Sequence, residues 1–283
     1  MRDKVLILGS DGLLGLNLKR YFKTKRIKFI TYKRKKDVNF KDLRNLIFKN
    51  KINIIINLRA ITDVDYCEKN KKLANKVNYI FVKYLCDLLN KNKNIHLIQI
   101  STDQLYSKFS KNYENRYNIL NHYTKTKVLA EQSAQKVSST IFRTNFFGNG
   151  RNKKKKSFSD WIYSNLKNKK KISMAADIYF NPIRISTLCK IIHLACKLKI
   201  RGIYNVGSKK GFSKYLFSKR FASYLNLKQS LIVKVKKKEL NFYAKRPSDM
   251  RMQLVKFEKD FNLYLPSLKD EIEAEAKNYS NAK

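Results

Sequence analysis

Acidic residues are scarce: 21 Asp and Glu stand against 63 Lys and Arg, leaving a formal charge of +42 over 283 residues. A charge of that size suits an anionic partner such as nucleic acid or a membrane surface. The excess, however, is spread along the whole chain rather than gathered into one arm or helix face, whereas nucleic-acid binders present a localised basic footprint. Abundant Lys, Asn, Ile, Tyr and Phe point instead to compositional drift of an AT-rich genome, so neither a specific nucleic-acid partner nor a membrane partner is expected. The field still draws in anionic substrates and phosphorylated cofactors. Histidine is also rare, with three in the chain, and Cys67, Cys86, Cys189 and Cys196 form no C-x-x-C pair. No His/Cys cluster has zinc spacing, so no metal site is expected and the thiols read as reduced and packed in a cytoplasmic protein. No apolar run approaches the roughly eighteen residues that a spanning helix needs. The first short run, Val5 to Leu8, turns at once to Gly, Ser and Asp, which reads as a buried strand and not as a signal peptide. Glycine and proline are the remaining scarcities, 8 and 3 respectively, so any place where several glycines fall together carries weight.

What is present suffices for a folded core. Hydrophobic residues make up 43% and aromatics 12%, which excludes a disordered chain, and no internal repeat is visible. Strands are predicted over Lys4–Leu8, Lys28–Tyr32, Ile52–Leu58, Ile95–Ile100 and Thr140–Arg143. Helices are predicted over Leu13–Lys23, Phe40–Asn50, Leu73–Asn92 and Tyr123–Lys136. Alternating strands and helices, with strands that are continuous apolar runs, imply a parallel sheet covered on both faces. Past Gly150 the texture changes: a polar loop holds Lys153–Lys156, followed by helices over Phe158–Leu166, Thr187–Lys199 and Ser213–Leu225, and strands over Gly202–Gly207 and Ser230–Val235. Asn278–Lys283 reads as a disordered tail. The expected fold is therefore α/β: a Rossmann-type, doubly wound parallel sheet over residues 1–149, rejoined by about 180–207, with a smaller C-terminal α/β substrate domain occupying mainly 150–283.

Three of the eight glycines, Gly9, Gly12 and Gly15, make G-x-x-G-x-x-G between the first strand and the first helix. Such a turn brings backbone N–H groups against a pyrophosphate, and the helix N-terminus adds partial positive charge. A dinucleotide is the expected occupant. Basic residues after the second strand, Lys33 to Lys36, favour the 2′-phosphate of NADPH over NADH. Two later segments supply chemistry. In ISTDQLY, Thr102 follows a parallel strand at its carboxyl end, where open α/β sheets place their sites; in HYTKTKVLAE, Tyr123 and Lys127 are four apart on one helix face. Tyr123 suits a general acid to a carbonyl oxygen, an ammonium at Lys127 lowers the phenol pKa and holds a nicotinamide ribose, and the Thr102 hydroxyl bonds the same carbonyl.

This ordered set resembles the extended short-chain dehydrogenase/reductase superfamily, most of all its dTDP-4-dehydrorhamnose reductase branch. INLRAITDVDYCE, KVNYIFVKYL, FRTNFFG, FNPIRISTL, GIYNVGS and RPSDMRM are similar to further landmarks of that family, so the likeness spans nearly the whole chain. The resemblance implies that Asp11, Gly12 and Leu13 touch cofactor phosphates, that Asp37 and Val38 lie near the adenine, and that Arg59 and Ala60 lie beside the dinucleotide. It places Thr102, Asp103 and Arg143 on the substrate side. The implied reaction is NAD(P)H-dependent reduction of a nucleotide-linked 4-keto-6-deoxy sugar, dTDP-4-dehydrorhamnose to dTDP-rhamnose. Another sugar-nucleotide reductase or epimerase, and a non-catalytic NADP-binding regulatory subunit like that of methionine adenosyltransferase, share the scaffold and stay open, as does homodimerisation. The chain departs from the family in places. Arg59 stands where a small residue is usual, where it either reaches a phosphate or crowds the site. The Asp-Gly turn after Tyr106 and the prolines before Tyr123 are absent. Some family members use a divalent metal, but no acidic cluster here corresponds to its ligands.

Overall fold

The computed structural model describes residues 3–32, 38–107, 112–150 and 156–280; Asp37, the basic stretch Lys33–Lys36 and most of Lys153–Lys156 lie outside them. In chain order the regular elements are β1 (Val5–Leu8), α1 (Leu13–Thr24), β2 (Phe29–Thr31), α2 (Phe40–Lys49), β3 (Ile54–Asn57), α3 (Val64–Lys69), α4 (Lys71–Asn75), a π-helical turn (Lys76–Ile80), α5 (Phe81–Asn90), β4 (His96–Ile100), α6 (His122–Ala134) and β5 (Ser139–Thr144). There follow β6 (Phe146–Phe147), α7 (Phe158–Lys167), β7 (Ile172–Ala175), β8 (Tyr179–Phe180), β9 (Ile183–Arg184), α8 (Ile185–Leu198), β10 (Gly202–Val206), β11 (Phe212–Ser213), α9 (Lys214–Tyr224), β12 (Ile232–Val235), α10 (Val255–Phe261) and α11 (Leu268–Ser280). The residues fall into two units. The first comprises 1–101, 121–142 and 189–203; the second comprises 102–120, 143–188 and 204–283. The sequence reading places 1–149, rejoined by about 180–207, in the first domain and mainly 150–283 in the second. The chain changes unit at five points, among them inside β5, α8 and β10.

The sheet of the first unit runs in the order β10-β5-β4-β3-β1-β2, with parallel pairing such as Val5 with Ile54, Ile54 with His96 and Leu97 with Ser139. It is a doubly wound, Rossmann-type α/β sheet. Leu6, Leu8, Ile55, Leu97 and Ile141 form one core with Leu43 and Ile47 of α2, Phe81, Leu85 and Leu89 of α5, and Ala130 and Ala134 of α6. Side chains alternate across a strand, so Val5, Ile7, Ile54 and Ile56 turn to the opposite face, where they are equally buried. α1 and α8 meet through Tyr21 Oη and His193 Nδ1 at 3.2 Å, with Phe22 in ring contact with the same imidazole. Burial on both faces explains why these strands read as unbroken apolar runs.

In the second unit, β7 and β12 pair in parallel, β8 and β11 antiparallel. An aromatic core holds them: Phe147 meets Phe217 edge-on at 5.0 Å, and Phe221 meets Tyr279 at 5.3 Å. Tyr279 corrects the expected tail. Asn278 to Ser280 close α11, and the buried Tyr279 phenol donates to Asp160 Oδ1 at 2.6 Å. The segment looks polar in sequence, yet Leu268, Ile272, Ala276 and Tyr279 fall on one helical face and bury together. The expected single helix Leu73–Asn92 is also corrected: it is broken into α4, the π turn and α5.

Candidate active site

The glycine turn has the form the sequence implies, and its geometry shows why. Gly9 has φ +77°, a left-handed conformation that side chains avoid, and a Cβ there would stand 2.7 Å from the Arg59 amide nitrogen. At Gly15 a Cβ would run into the Gly9 carbonyl oxygen and stand 2.7 Å from Ser10 Cα. The turn closes with Gly12 N–H donating to Gly9 O at 3.1 Å. Gly12 then opens α1 as its N-cap with no side-chain cap, and no acidic residue occupies the first turn. In contrast, α2, α3, α6, α7 and α9 are capped by Asn39, Asp63, Asn121, Ser157 and Ser213. α4 and α10 also lack a side-chain cap, but α1 alone of the three follows the glycine turn, where its first-turn amides are open to an outside acceptor. A tight glycine turn packed against its own neighbouring backbone and ending on an uncapped helix fits a dinucleotide pyrophosphate. The Asp11 carboxylate pairs with Lys19 at 3.2 Å and accepts from Ser10 Oγ at 3.4 Å.

Val38, like Phe40, packs partly buried against the core of the first unit. The Arg59 guanidinium lies over the Phe81 ring at 5.2 Å, and the Arg59 amide donates to the Asn57 side chain at 3.2 Å. Ala60, next in the chain, is half-buried. Asn57 and Gln99, buried at the ends of adjacent strands, join side chains at 2.8 Å and tie the two loops together. Neither was singled out in the sequence.

Both Tyr123 and Lys127 lie buried on α6. The helix starts on a reciprocal cap between Asn121 and Thr124, with the His122 amide donating to Glu68 at 2.7 Å. Lys127 Nζ donates to the Ile100 carbonyl oxygen at 2.7 Å, which brings the lysine to the end of β4. Burial pulls its pKa down to about 8, partly opposed by Glu131 and then Cys67. One turn along α6, Glu131 accepts a very short hydrogen bond from Ser101 Oγ. Asn78, inside the π turn, binds three partners: its Oδ1 accepts from the Ile61 amide at 2.8 Å, and its Nδ2 donates to Ile61 O at 3.0 Å and Thr126 Oγ1 at 3.2 Å. Glu131 and Asn78 therefore hold the helix that carries the tyrosine and lysine. Only a buried polar residue inside an apolar helical run signals Asn78 in the sequence.

Thr102, Asp103 and Arg143 fall in the second unit. Thr102 Oγ1 accepts from the Gln104 amide at 3.2 Å, capping a single 3-10 turn. Asp103 is buried, and loss of water raises its pKa to about 6 against the pull of Asn145, whose amide donates to Oδ2 at 2.9 Å, and of Lys214. Arg143, only 1% exposed, donates to Tyr106 Oη at 2.8 Å and to the carbonyl oxygens of Glu114 and Arg116 at 3.0 and 2.9 Å. Its visible work is to anchor the segment before α6.

A sequence profile described as RmlD substrate binding domain matches residues 2–281. The chain belongs to that family. Within the RmlD family and its relatives, the NADP-bound dTDP-4-dehydrorhamnose reductase of Bacillus anthracis superposes with a TM-score of 0.90 at 23% identity, covering 98% of this chain and all of that one. A hypothetical dTDP-4-dehydrorhamnose reductase of Sulfolobus tokodaii is 28% identical, with a TM-score of 0.79 over 90% of this chain and 94% of the other. A probable low-salt glycan biosynthesis reductase of Haloferax volcanii, Agl14, is 22% identical over 79% of this chain and 76% of its own length. Among the described residues no three His, Cys, Asp or Glu are grouped to hold a metal, and no helix is long and apolar enough to cross a membrane.

Proposed function

We propose that the chain is an NAD(P)H-dependent oxidoreductase that reduces the 4-keto group of a nucleotide-linked 6-deoxy sugar, with dTDP-4-dehydrorhamnose as the substrate and dTDP-rhamnose as the product. The observation that carries the reading is the pairing of a glycine cradle and uncapped α1 with a buried Tyr123/Lys127 helix in the same unit. The names of the reductases it is similar to supply the substrate class.

Gly9, Gly12, Gly15 and the amides opening α1 hold the pyrophosphate; Val38, Arg59 and Ala60 border the dinucleotide. A reduced nicotinamide, when bound, supplies the hydride. Tyr123 gives its phenolic proton to the C4 oxygen as that carbon is reduced, leaving a hydroxyl group and a phenolate. Lys127 stabilises that phenolate through its charge. Thr102 hydrogen-bonds the same oxygen, and Asp103 lies on the sugar side. Four buried, unbridged cysteines fit a reducing cytoplasm.

The test is NADPH and NADH oxidation with the keto sugar. Tyr123→Phe is expected to lower kcat by about 10²-fold or more while cofactor affinity stays within about twofold. Wild-type turnover no faster than the phenylalanine variant, with tight NADP binding, would replace this reading by a non-catalytic, cofactor-binding one.

A further inference from the structure

An ammonium taken out of water needs a counterion, and the helix that carries Lys127 also carries a buried acid. Lys127 and Glu131 are each 3% exposed and stand four residues apart, so they are neighbours on one face of α6. Their heads meet the end of β4 at consecutive residues. Lys127 Nζ donates to the Ile100 carbonyl oxygen at 2.7 Å, and the hydroxyl of Ser101, next in the chain, donates to Glu131 Oε1. A carbonyl dipole takes up one N–H of an ammonium but leaves its charge unbalanced, and a buried ammonium sheds its proton readily. An ionised carboxylate beside it opposes that loss. Burial draws Lys127 down to about 8, and of the two groups that hold it up Glu131 contributes more than Cys67.

Other ionisable groups on the elements packed against α6 are engaged elsewhere or uncharged. Burial pushes the thiols of Cys67 on α3 and Cys86 on α5 up to about 11 and about 12, so both are protonated where the lysine titrates. Burial drives His96 on β4 down to about 4, and its neutral ring bonds Ser138 at 3.0 Å and Thr140 at 2.8 Å. Asp63 caps α3, Glu68 pairs with Lys71 at 3.1 Å and accepts from the His122 amide, and Lys83 pairs with Asp87 at 2.7 Å. Among the described residues, Glu131 is thus the carboxylate that acts on Lys127.

We propose that Glu131 is a positioning residue that keeps Lys127 an ammonium while Tyr123 gives up its proton, and so sets the upper edge of the pH range of turnover. This role presupposes the reduction described above, but its first readout needs neither substrate nor cofactor. Protein carrying ¹³Cε-labelled lysine is titrated by NMR, and the Lys127 signal is assigned by its loss in Lys127→Arg. Wild type is expected to show a midpoint at about pH 8. Glu131→Gln is expected to show one at about pH 7 or lower, and Glu131→Asp a return towards wild type. Ser101→Ala cuts the tie to β4 but keeps both charges, so its midpoint stays close to that of wild type. A carboxylate that only tied α6 to β4 would make Ser101→Ala and Glu131→Gln behave alike. The alkaline fall of kcat is expected to move with the lysine. In wild type carrying ¹³Cδ-labelled glutamate, one carboxylate signal is expected to shift at the lysine midpoint, a check that stands should Glu131→Gln fail to fold. An unmoved lysine in Glu131→Gln, an equal displacement in Ser101→Ala, or no glutamate signal that follows the lysine overturns the proposal. Turnover by wild type with an unmoved lysine sinks this inference alone. A displaced lysine in a protein that reduces no keto sugar sinks only the proposed reaction.

Discussion

Asp103 is where a single residue most clearly couples stability to the site. Its carboxyl is buried, and burial raises its pKa from 3.8 to about 6. Between those values the folded chain holds a proton that the unfolded chain has released, so this group's contribution falls as pH rises and its cost is complete above pH 6. Asp103→Asn removes that cost and keeps an oxygen for the Asn145 amide. The variant is expected to be more stable than wild type at pH 7.5 by at most about 3 kcal/mol, with the gap closing at pH 4. Urea midpoints at the two pH values measure it, and an equal gap at both would show that the carboxyl titrates normally. The three glycines stand out in the sequence because a glycine turn has a local signature, whereas Asp103 is named only through the family resemblance. The sequence offered no such signature for the anchoring role of Arg143, whose partners Tyr106, Glu114 and Arg116 lie far from it in the chain.

At the scale of elements, the segment between β3 and β4 shows how far periodicity reaches. Apolar spacing from Val77 to Leu89 predicts one helix, and α5 follows that spacing closely. The break lies at Lys76–Ile80, where the backbone widens to a π turn and buries Asn78 at 1% exposure. Single π turns inside helices often mark functional positions; this one places an amide between the loop after β3 and α6. Thr126, which Asn78 meets, sits between Tyr123 and Lys127 and donates to the Tyr123 carbonyl at 2.7 Å. Asn78→Ala strands both backbone groups of Ile61. It is expected to cost about 2–4 kcal/mol and to lower kcat more than cofactor affinity, because α6 loses its lateral tie. Chemical denaturation and steady-state kinetics check both halves; full kcat in a destabilised variant would confine Asn78 to a structural role. α11 was illegible for the opposite reason: its apolar face is real, but Glu271 and Glu275 are buried on it, so a hydrophobic pattern alone reads the helix as polar.

For the whole molecule, the excess of cations is the property with the widest reach, and it decides between drift and use. A charge of +42 distributed along the chain attracts any anion at long range, whatever produced it. Salt screens such attraction over a Debye length of about 10 Å at 0.1 M, while Tyr123, the proposed proton donor, is buried and shielded from bulk ions. The two contributions therefore separate kinetically. As salt is raised from about 20 to about 200 mM, kcat/KM for the anionic keto sugar is expected to fall by about tenfold or more, with kcat nearly constant. Thymidine 5′-diphosphate affinity is expected to fall alongside it, and duplex DNA is expected to bind only weakly at low salt and without sequence preference. Stopped-flow NADPH oxidation across a salt series gives the first two quantities under one set of conditions. If kcat/KM proves indifferent to salt, the charge is drift with no kinetic consequence. If kcat falls in step with it, the ions act on the folded site itself, and the long-range field is the wrong explanation.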